Sequence, residues 1–436
     1  MSSVRTLLAA VVLSHGLGSS VLAGALDLQA KNLNTQVLPR VLEWRRDLHQ
    51  NPELSNREFR TSKLVAAHLK SLGLKVETGI AHTGVVALLE GGKPGPTIAL
   101  RADMDGLPVT EEVDLPFRSK VTTTYNGATV GVMHACGHDV HTAILMGAAQ
   151  TLTRMRADLP GKVLFIFQPA EEGPPAGEDG GAQLMLKEGV FERYKPQAAF
   201  GLHVMSVLNA GELGYRVSSL MAASNGFRIS VQGKQSHGSR PWQGIDPVVA
   251  AAQIVSSLQT VVSRDTDLTE FPAVVTVGMI HGGVRNNIIP DVVEMAGTIR
   301  TFDDQQRAKI MRSVERVVTH VSQAHGATAT FALEPNGNPV LSNDEALTER
   351  MRPVLEGVVG KQNVKRIALI TGAEDFAWFA QAVPSFYFIV GTVPAGEKPA
   401  AAPANHSPRF FVDESAVSIG LEAMTRVALA SLGAPP

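Results

Sequence analysis

Val163-Leu-Phe-Ile-Phe167, stopped by Gln168-Pro169 and followed at once by Ala170-Glu171-Glu172, is the stretch on which the fold turns. Five consecutive apolar residues with no polar alternation describe a strand covered on both faces. Proline ends it because it has no N–H to give to a ladder. Thr97 to Arg101 and Ala198 to Leu202 have a similar texture, and Thr142 to Leu152 between them is small and apolar at helical spacing. Apolar strands separated by helices predict an α/β domain with a mainly parallel sheet flanked by helices. In such sheets reactive side chains collect just beyond the strand ends. Asp103 and Asp105 follow the strand at Thr97, Glu171 and Glu172 the strand at Val163, and His203 the strand at Ala198.

Working outward, Val37 to Leu72 carries helical periodicity interrupted at Pro52-Glu53 and ended by Gly73, which predicts two helices joined by a turn. Gly84 to Leu89 reads as a further strand. From about Arg216 the texture changes. Gly226 to Gln232 alternates, Asp246-Pro247 opens a helix to Ser263, and Val274 to Ile280 alternates again. Val292 to Arg300 is a strand, Asp303 to His325 a helix, and Ala327 to Leu333 a closing strand. The order β-α-β-β-α-β predicts a small ferredoxin-like α+β domain over residues 216–334, inserted into a catalytic domain formed by 26–215 and 335–436. A chain of 436 residues also exceeds what one hydrophobic core commonly supports.

Residues 1–25 run from Met-Ser-Ser-Val-Arg5 through an apolar core to small residues at Val21-Leu-Ala-Gly-Ala25. This is the pattern of a secretory signal cut after Ala23 or Ala25, and it places the protein in the periplasm or outside the cell. Net charge is −2, with no basic run and no aromatic-basic interleaving, which argues against nucleic acid as a partner. No membrane association is expected once the signal is removed. A single cysteine, Cys136, cannot form an internal disulfide, and a lone thiol in an oxidising compartment is protected best when a metal holds it.

Cys136 and His138 flank Gly137 in His134-Ala-Cys-Gly-His-Asp-Val-His141, so a thiolate and an imidazole can converge from one loop. Taken singly, adjacent glutamates are ordinarily solvated and single histidines ordinarily structural. Together, Cys136, His138, Glu172, His203 and His406 make five donors, too many for one tetrahedral ion and suited to two divalent ions sharing a bridge. One thiolate and one carboxylate leave such a pair with a surplus of positive charge, enough to acidify water into a hydroxide nucleophile. Of two neighbouring glutamates, Glu171 and Glu172, one can then bind metal while the other moves the proton.

Ordered motifs carry a resemblance. Arg45-Arg-Asp-Leu-His49, Pro52-Glu-Leu-Ser55, Arg101-Ala-Asp-Met-Asp-Gly-Leu-Pro108, Met133-His-Ala-Cys-Gly-His-Asp139, Gln168-Pro-Ala-Glu-Glu172, Asn287-Ile-Ile-Pro-Asp291, Gly297-Thr-Ile-Arg300, Gly372-Ala-Glu-Asp-Phe376 and His406-Ser-Pro-Arg409 together resemble the M20 metallopeptidases. The branch is that of aminoacylase, hippurate hydrolase and auxin-conjugate amidohydrolase. The resemblance covers nearly all of the chain after the signal. It implies a dinuclear amidohydrolase that cleaves N-acyl or N-aroyl amino acids through metal-bound hydroxide, with Cys136 as bridge and Asp105 orienting the site. It further implies that His237 stabilises the oxyanion in a neighbouring subunit's site, that Asn287 and Arg300 hold substrate, and that the insert is a lid through which a homodimer or higher homo-oligomer forms. The metals it implies are two ions of zinc, manganese, cobalt or nickel. A metallo-aminopeptidase or dipeptidase is the nearest rival, and a non-catalytic periplasmic metal-binding protein the remote one. Two departures stand out: Gln235-Ser-His-Gly238 replaces the usual Gly-Gly-His-Ala, and Gly173 to Asp179 forms a Pro/Gly/acid loop expected to reshape the rim of the site.

Overall fold

A computed structural model describes residues 3–433, with side chains from Ala25 onward. Two compact units are present, one formed by Met1–Val217, Asn343–Ile367 and Phe379–Pro436, the other by Ser218–Ser342 and Ala368–Trp378. Residues Ser3–Gln50 form a single helix, and Phe59–Ser71 a second after the break at Pro52. Of the segment read as an export signal, Met1, Ser2 and the side chains through Gly24 lie outside the described residues.

The first unit is built on an eight-stranded sheet whose centre is parallel. Strand Lys93–Asp103 lies between Pro160–Gln168 and Ala198–Asn209, parallel to both, and Ser385–Val393 runs parallel to Ala198–Asn209 on the far side. The edges are mixed: Lys75–Ile80 and Gly84–Glu90 form an antiparallel pair, Gly84–Glu90 is antiparallel to Pro160–Gln168, and Leu213–Tyr215 is antiparallel to Ser385–Val393. Burial follows the sequence texture. Val163, Leu164, Phe165, Ile166 and Phe167 are all buried, because helices cover both faces of the central strands. Ser385–Val393, which the sequence reading left unassigned, is buried along its entire length. Helix Ser415–Leu432 is long and apolar enough to cross a membrane by composition, yet 67% of it is buried, as expected of a core helix that packs among its neighbours.

The second unit has strands Ala223–Gln232, Ala273–Gly282, Val292–Thr301 and Thr328–Leu333 in one antiparallel sheet, with helices Pro247–Ser263 and Asp304–Ala324 packed on it. Both helices are capped by an aspartate: Asp246 accepts from Val248 and Val249, and Asp303 from Gln306. The connectivity is the β-α-β-β-α-β order expected of a ferredoxin-like fold.

Candidate metal centre

The site lies beyond the carboxyl ends of the central strands of the first unit. Strand Lys93–Asp103 leads to Asp105, Pro160–Gln168 to Glu171 and Glu172, and Ala198–Asn209 carries His203. Cys136 sits in the loop before helix His138–Arg154, and His406 in the loop that precedes the last helix. Two of these segments hold unusual backbone. Gly137 has φ +95°, and a Cβ there would lie 2.3 Å from Val204 Cγ2, so only glycine lets Cys136 and His138 face inward together. His406 itself has φ +71° and Ala170, next to Glu171, φ +53°. Non-glycine residues in this region persist only where their surroundings hold them.

Cys136 is the geometric hub. Its sulfur lies 3.3 Å from His203 Nε2 and 3.3 Å from His406 Nε2, while His406 Nε2 is 3.1 Å from Glu172 Oε1. Possible ligand atoms of Cys136, His138 and His203 cluster within 4.8 Å of one another, as do those of Cys136, Glu172 and His406, and those of His138, Glu171 and Glu172. The five residues predicted as ligands are thus brought together, with Glu171 at their side.

The imidazoles are aimed by what their Nδ1 atoms touch. His138 Nδ1 lies 3.2 Å from Asp105 Oδ1 and His203 Nδ1 2.9 Å from the Val204 carbonyl. A ring whose Nδ1–H donates has its Nε2 lone pair free to bind a cation, the arrangement found around metal-bound histidines. His138 Nε2 is fully buried without a hydrogen-bond partner, a donor-poor position that a cation satisfies.

The electrostatics divide by residue: against its burial, the carboxylates of Asp103 and Asp105 raise the His138 imidazole to about 10, a proton that a bound cation must displace. Burial and the neighbouring carboxylates of Glu172, Glu171 and Asp103 push the Cys136 thiol well above its ordinary value, so this pocket favours thiolate only with positive charge beside it. Burial, with His141 and His138 nearby, holds His203 well below its ordinary value, and hence neutral as a ligand requires. The donor set fits a pair of divalent ions.

His141, three residues along the same helix, does something else. Its Nε2 accepts the Val204 N–H at 2.9 Å, so Nδ1 carries the proton and donates to Asp103 at 2.6 Å. Asp103 in turn accepts from Arg101 at 2.8 Å. That lone pair is spent on the backbone, and His141 ties the helix to two strands.

Asp105 organises the rest. Its oxygens accept from Ser55 Oγ at 2.7 Å and from the backbone N–H groups of Glu171 and Glu172 at 3.2 and 3.0 Å, besides His138. Glu58, fully buried, accepts from the Ala170 N–H at 2.9 Å and from the Thr83 hydroxyl at 2.5 Å. Burial, with Asp105 nearby, raises the Glu58 carboxyl to about 8. Asn405 donates to the carbonyls of Cys136 and Val204 at 3.2 and 3.0 Å and accepts from Ser206 N–H. A buried chain of Arg45, His49, Asp139 and Glu111 fixes the first turn of the helix after His138. Sequence reasoning assigned no role to Ser55, Glu58 or Asn405. The signals were that Asn405 adjoins a ligand and that Ser55 ends the motif Pro52-Glu-Leu-Ser55.

The acidic loop is committed internally: Glu178 pairs with Arg57 at 2.5 Å and Asp179 with Lys187 at 3.1 Å. His237, Asn287 and Arg300 belong to the second unit. His237 is exposed on a two-residue strand paired with Ile288–Ile289, and its Nδ1 accepts the Ser239 N–H at 3.1 Å, which leaves the ring proton on Nε2. Asn287 is adjacent, its carbonyl accepting from Gly238. Arg300 lies on strand Val292–Thr301 with Nη1 buried and unpartnered.

Comparison with known proteins places this arrangement. The profile of peptidase family M20/M25/M40 matches residues 99–430. The chain is 39% identical to thermostable carboxypeptidase 2 of Saccharolobus solfataricus, across 89% of this chain and 94% of that one. It is 37% identical to N-acetyl-L-cysteine deacetylase of Bacillus subtilis, across 92% and 90%. A solved structure from Bacillus subtilis, described as a dinuclear metal binding peptidase of the M20 family, superposes with a TM-score of 0.75 at 34% identity, covering 91% of this chain and 99% of that one.

Proposed function

Since this chain belongs to peptidase family M20/M25/M40, and so to the hydrolases of amide bonds, we propose that it is a metal-dependent amidohydrolase releasing a carboxylic acid and a free amino acid from N-acyl amino acids. The observation that carries this reading is the convergence of Cys136, His138, Glu172, His203 and His406 with Glu171 beside them. A carboxypeptidase and an N-acetyl amino acid deacetylase are both similar to the chain, and the bond their names share is an amide between an acyl group and an amino acid bearing a free carboxylate.

Those five residues would hold two divalent cations, which when bound lower the pKa of water and polarise the amide carbonyl. Glu171, with its side chain mostly buried and 3.8 Å from His138, accepts the proton of the attacking water and passes it to the leaving nitrogen. Asp105 holds the backbone of both glutamates, so the base and its ligand neighbour move as one rigid turn. His237, with its exposed Nε2–H, would serve the developing oxyanion in a neighbouring subunit's site, and Asn287 and Arg300 would hold the substrate's amide or carboxylate. The second unit presents exposed Met279, Ile280 and Val284, which support self-association through it.

The test is a panel of N-acyl amino acids beside unblocked dipeptides, assayed after chelation and again after reconstitution with zinc, manganese, cobalt or nickel. Hydrolysis of the N-acyl set that is lost on chelation and restored by metal is the expected result. Preference for unblocked dipeptides would favour the dipeptidase reading, and full activity in strong chelator would end the metal-dependent one.

A further inference from the structure

A cavity of about 660 Å³ opens beside Glu172, lined wholly by residues of the first unit. Three walls form it. The first is the turn Pro52 to Ser55. The second is the strand Thr122–Tyr125 with Asn126, half of a hairpin whose turn at Asn126 and Gly127 has φ +48° and +79° as a two-residue hairpin turn requires. The third is Gly173-Pro174-Pro175-Ala176, the loop that distinguishes this chain after its ligand glutamate.

Resting on the amidohydrolase reading, we propose that this cavity is the acyl pocket and that it takes large, uncharged acyl groups, aryl rings or chains of about six to eight carbons. Its charge inventory carries the assignment. The charged residues lining it are Glu53, Arg57 and Glu172. Arg57 is paired with Glu178, and Glu53 accepts the N–H groups of Arg60 and Thr61 at 2.9 and 2.8 Å, capping a helix start. Glu172 faces His406. No cation is left for a substrate carboxylate, so the amino acid half of the substrate finds no partner here. The rest of the lining mixes apolar Leu107, Pro108, Val121, Val132, Pro174 and Pro175 with the uncharged polar groups of Ser55, Thr122 to Thr124, Tyr125 and Asn126, which suits a neutral group with an apolar body. Size ranks the candidates: at about 30 Å³ per heavy atom, by analogy with water's share of liquid volume, acetyl fills about 90 Å³ of the cavity and octanoyl about 270 Å³, so the longer chain displaces more solvent and meets more of the wall.

The experiment uses the metal-loaded, full-length E171Q protein, in which turnover is blocked, and measures by calorimetry the binding of N-acetyl-, N-butanoyl-, N-hexanoyl-, N-octanoyl- and N-benzoyl-alanine. Affinity should rise along the alkanoyl series by up to about fourfold per methylene buried. The benzoyl compound should bind more tightly than the acetyl one. Thr123→Trp and Pro175→Trp, each added to E171Q from opposite walls, should flatten that gradient, with circular dichroism showing that each variant is folded. Equal affinity from acetyl to octanoyl, or a gradient undiminished in both tryptophan variants, would overturn the assignment. Wild-type turnover of N-octanoyl-alanine is read separately. A gradient without turnover supports the pocket while refuting the reaction, and turnover without a gradient refutes the pocket alone.

Discussion

Asp105 is the residue whose removal should be most informative, because one buried carboxylate accepts four hydrogen bonds from three separate segments. In Asp105→Ala the Ser55 hydroxyl can rotate to another acceptor. The N–H groups of Glu171 and Glu172 and Nδ1–H of His138 cannot. Hydrogen bonds to a charged acceptor are each worth about 1.5–3 kcal/mol, and the lower figure is appropriate where water can enter the vacated space. Three such losses give a destabilisation of about 4.5 kcal/mol. Asp105→Asn should cost about half as much. With its carbonyl turned toward the Oδ1 position it still accepts from His138 and Glu171, and its NH2 can donate to Ser55, but that NH2 then opposes the Glu172 N–H. Denaturant unfolding of the metal-free protein measures the stability, and metal titration the affinity, which should fall by about 10- to 100-fold as His138 loses its orienting partner. If Asp105→Ala unfolds at the wild-type denaturant concentration and binds metal undiminished, the reasoning that Asp105 holds the site together is wrong.

Glu171→Gln should retain wild-type metal content by elemental analysis while losing at least about 100-fold in kcat, and a smaller loss would remove it as the base. Cys136→Ser should reduce metal occupancy under a fixed chelator concentration by more than replacement of His203 or His406, since the Cys136 sulfur lies 3.3 Å from the Nε2 atom of each and so stands between them; equal losses would argue against a bridge. Glu58 sets a pH dependence of stability. Its folded value near 8 exceeds its ordinary value of 4.5, so the unfolded chain releases this proton first, and the stability carried by the protonated carboxyl is full below about pH 4.5 and is lost as pH rises toward 8. Glu58→Gln should therefore gain on wild type as pH increases from 5 to 8 in denaturant titrations; a difference independent of pH would refute it. Expressed with residues 1–25 intact in a bacterium with an outer membrane, the protein should be recovered from the periplasm beginning at Gly24 or Leu26, and N-terminal sequencing checks this against retention of Met1.

Much of the site was legible because metal-binding and acid-base side chains are chemically conspicuous and because an apolar run followed by proline announces where a strand ends. Cys136, His138, Glu171, Glu172, His203 and His406 could be picked out by type and position. Gly137 could be read as a necessary turn, and the 18% minority of charged residues left few competing candidates. What could not be read was which groups hold these in place. Glu58, Ser55 and Asn405 are ordinary residues taken one at a time, and their roles arise from partners 25 to 269 positions away.

The sequence by itself determined the type of the segments that lead into the site, though not of Ser385–Val393, together with the ferredoxin-like order of the second unit and the identity of the donor atoms, since each depends on neighbours within one segment. Only the tertiary structure decided that His138 turns its Nε2 toward Cys136's cluster while His141 gives its own to the Val204 backbone, although the two lie on one helix three residues apart. The strand order, including the antiparallel edges around a parallel centre, was settled the same way. The physical reason is common to both: a ring nitrogen's role and a strand's neighbour are set by which acceptor or donor arrives across space, and packing of the whole unit, not local stereochemistry, brings it there.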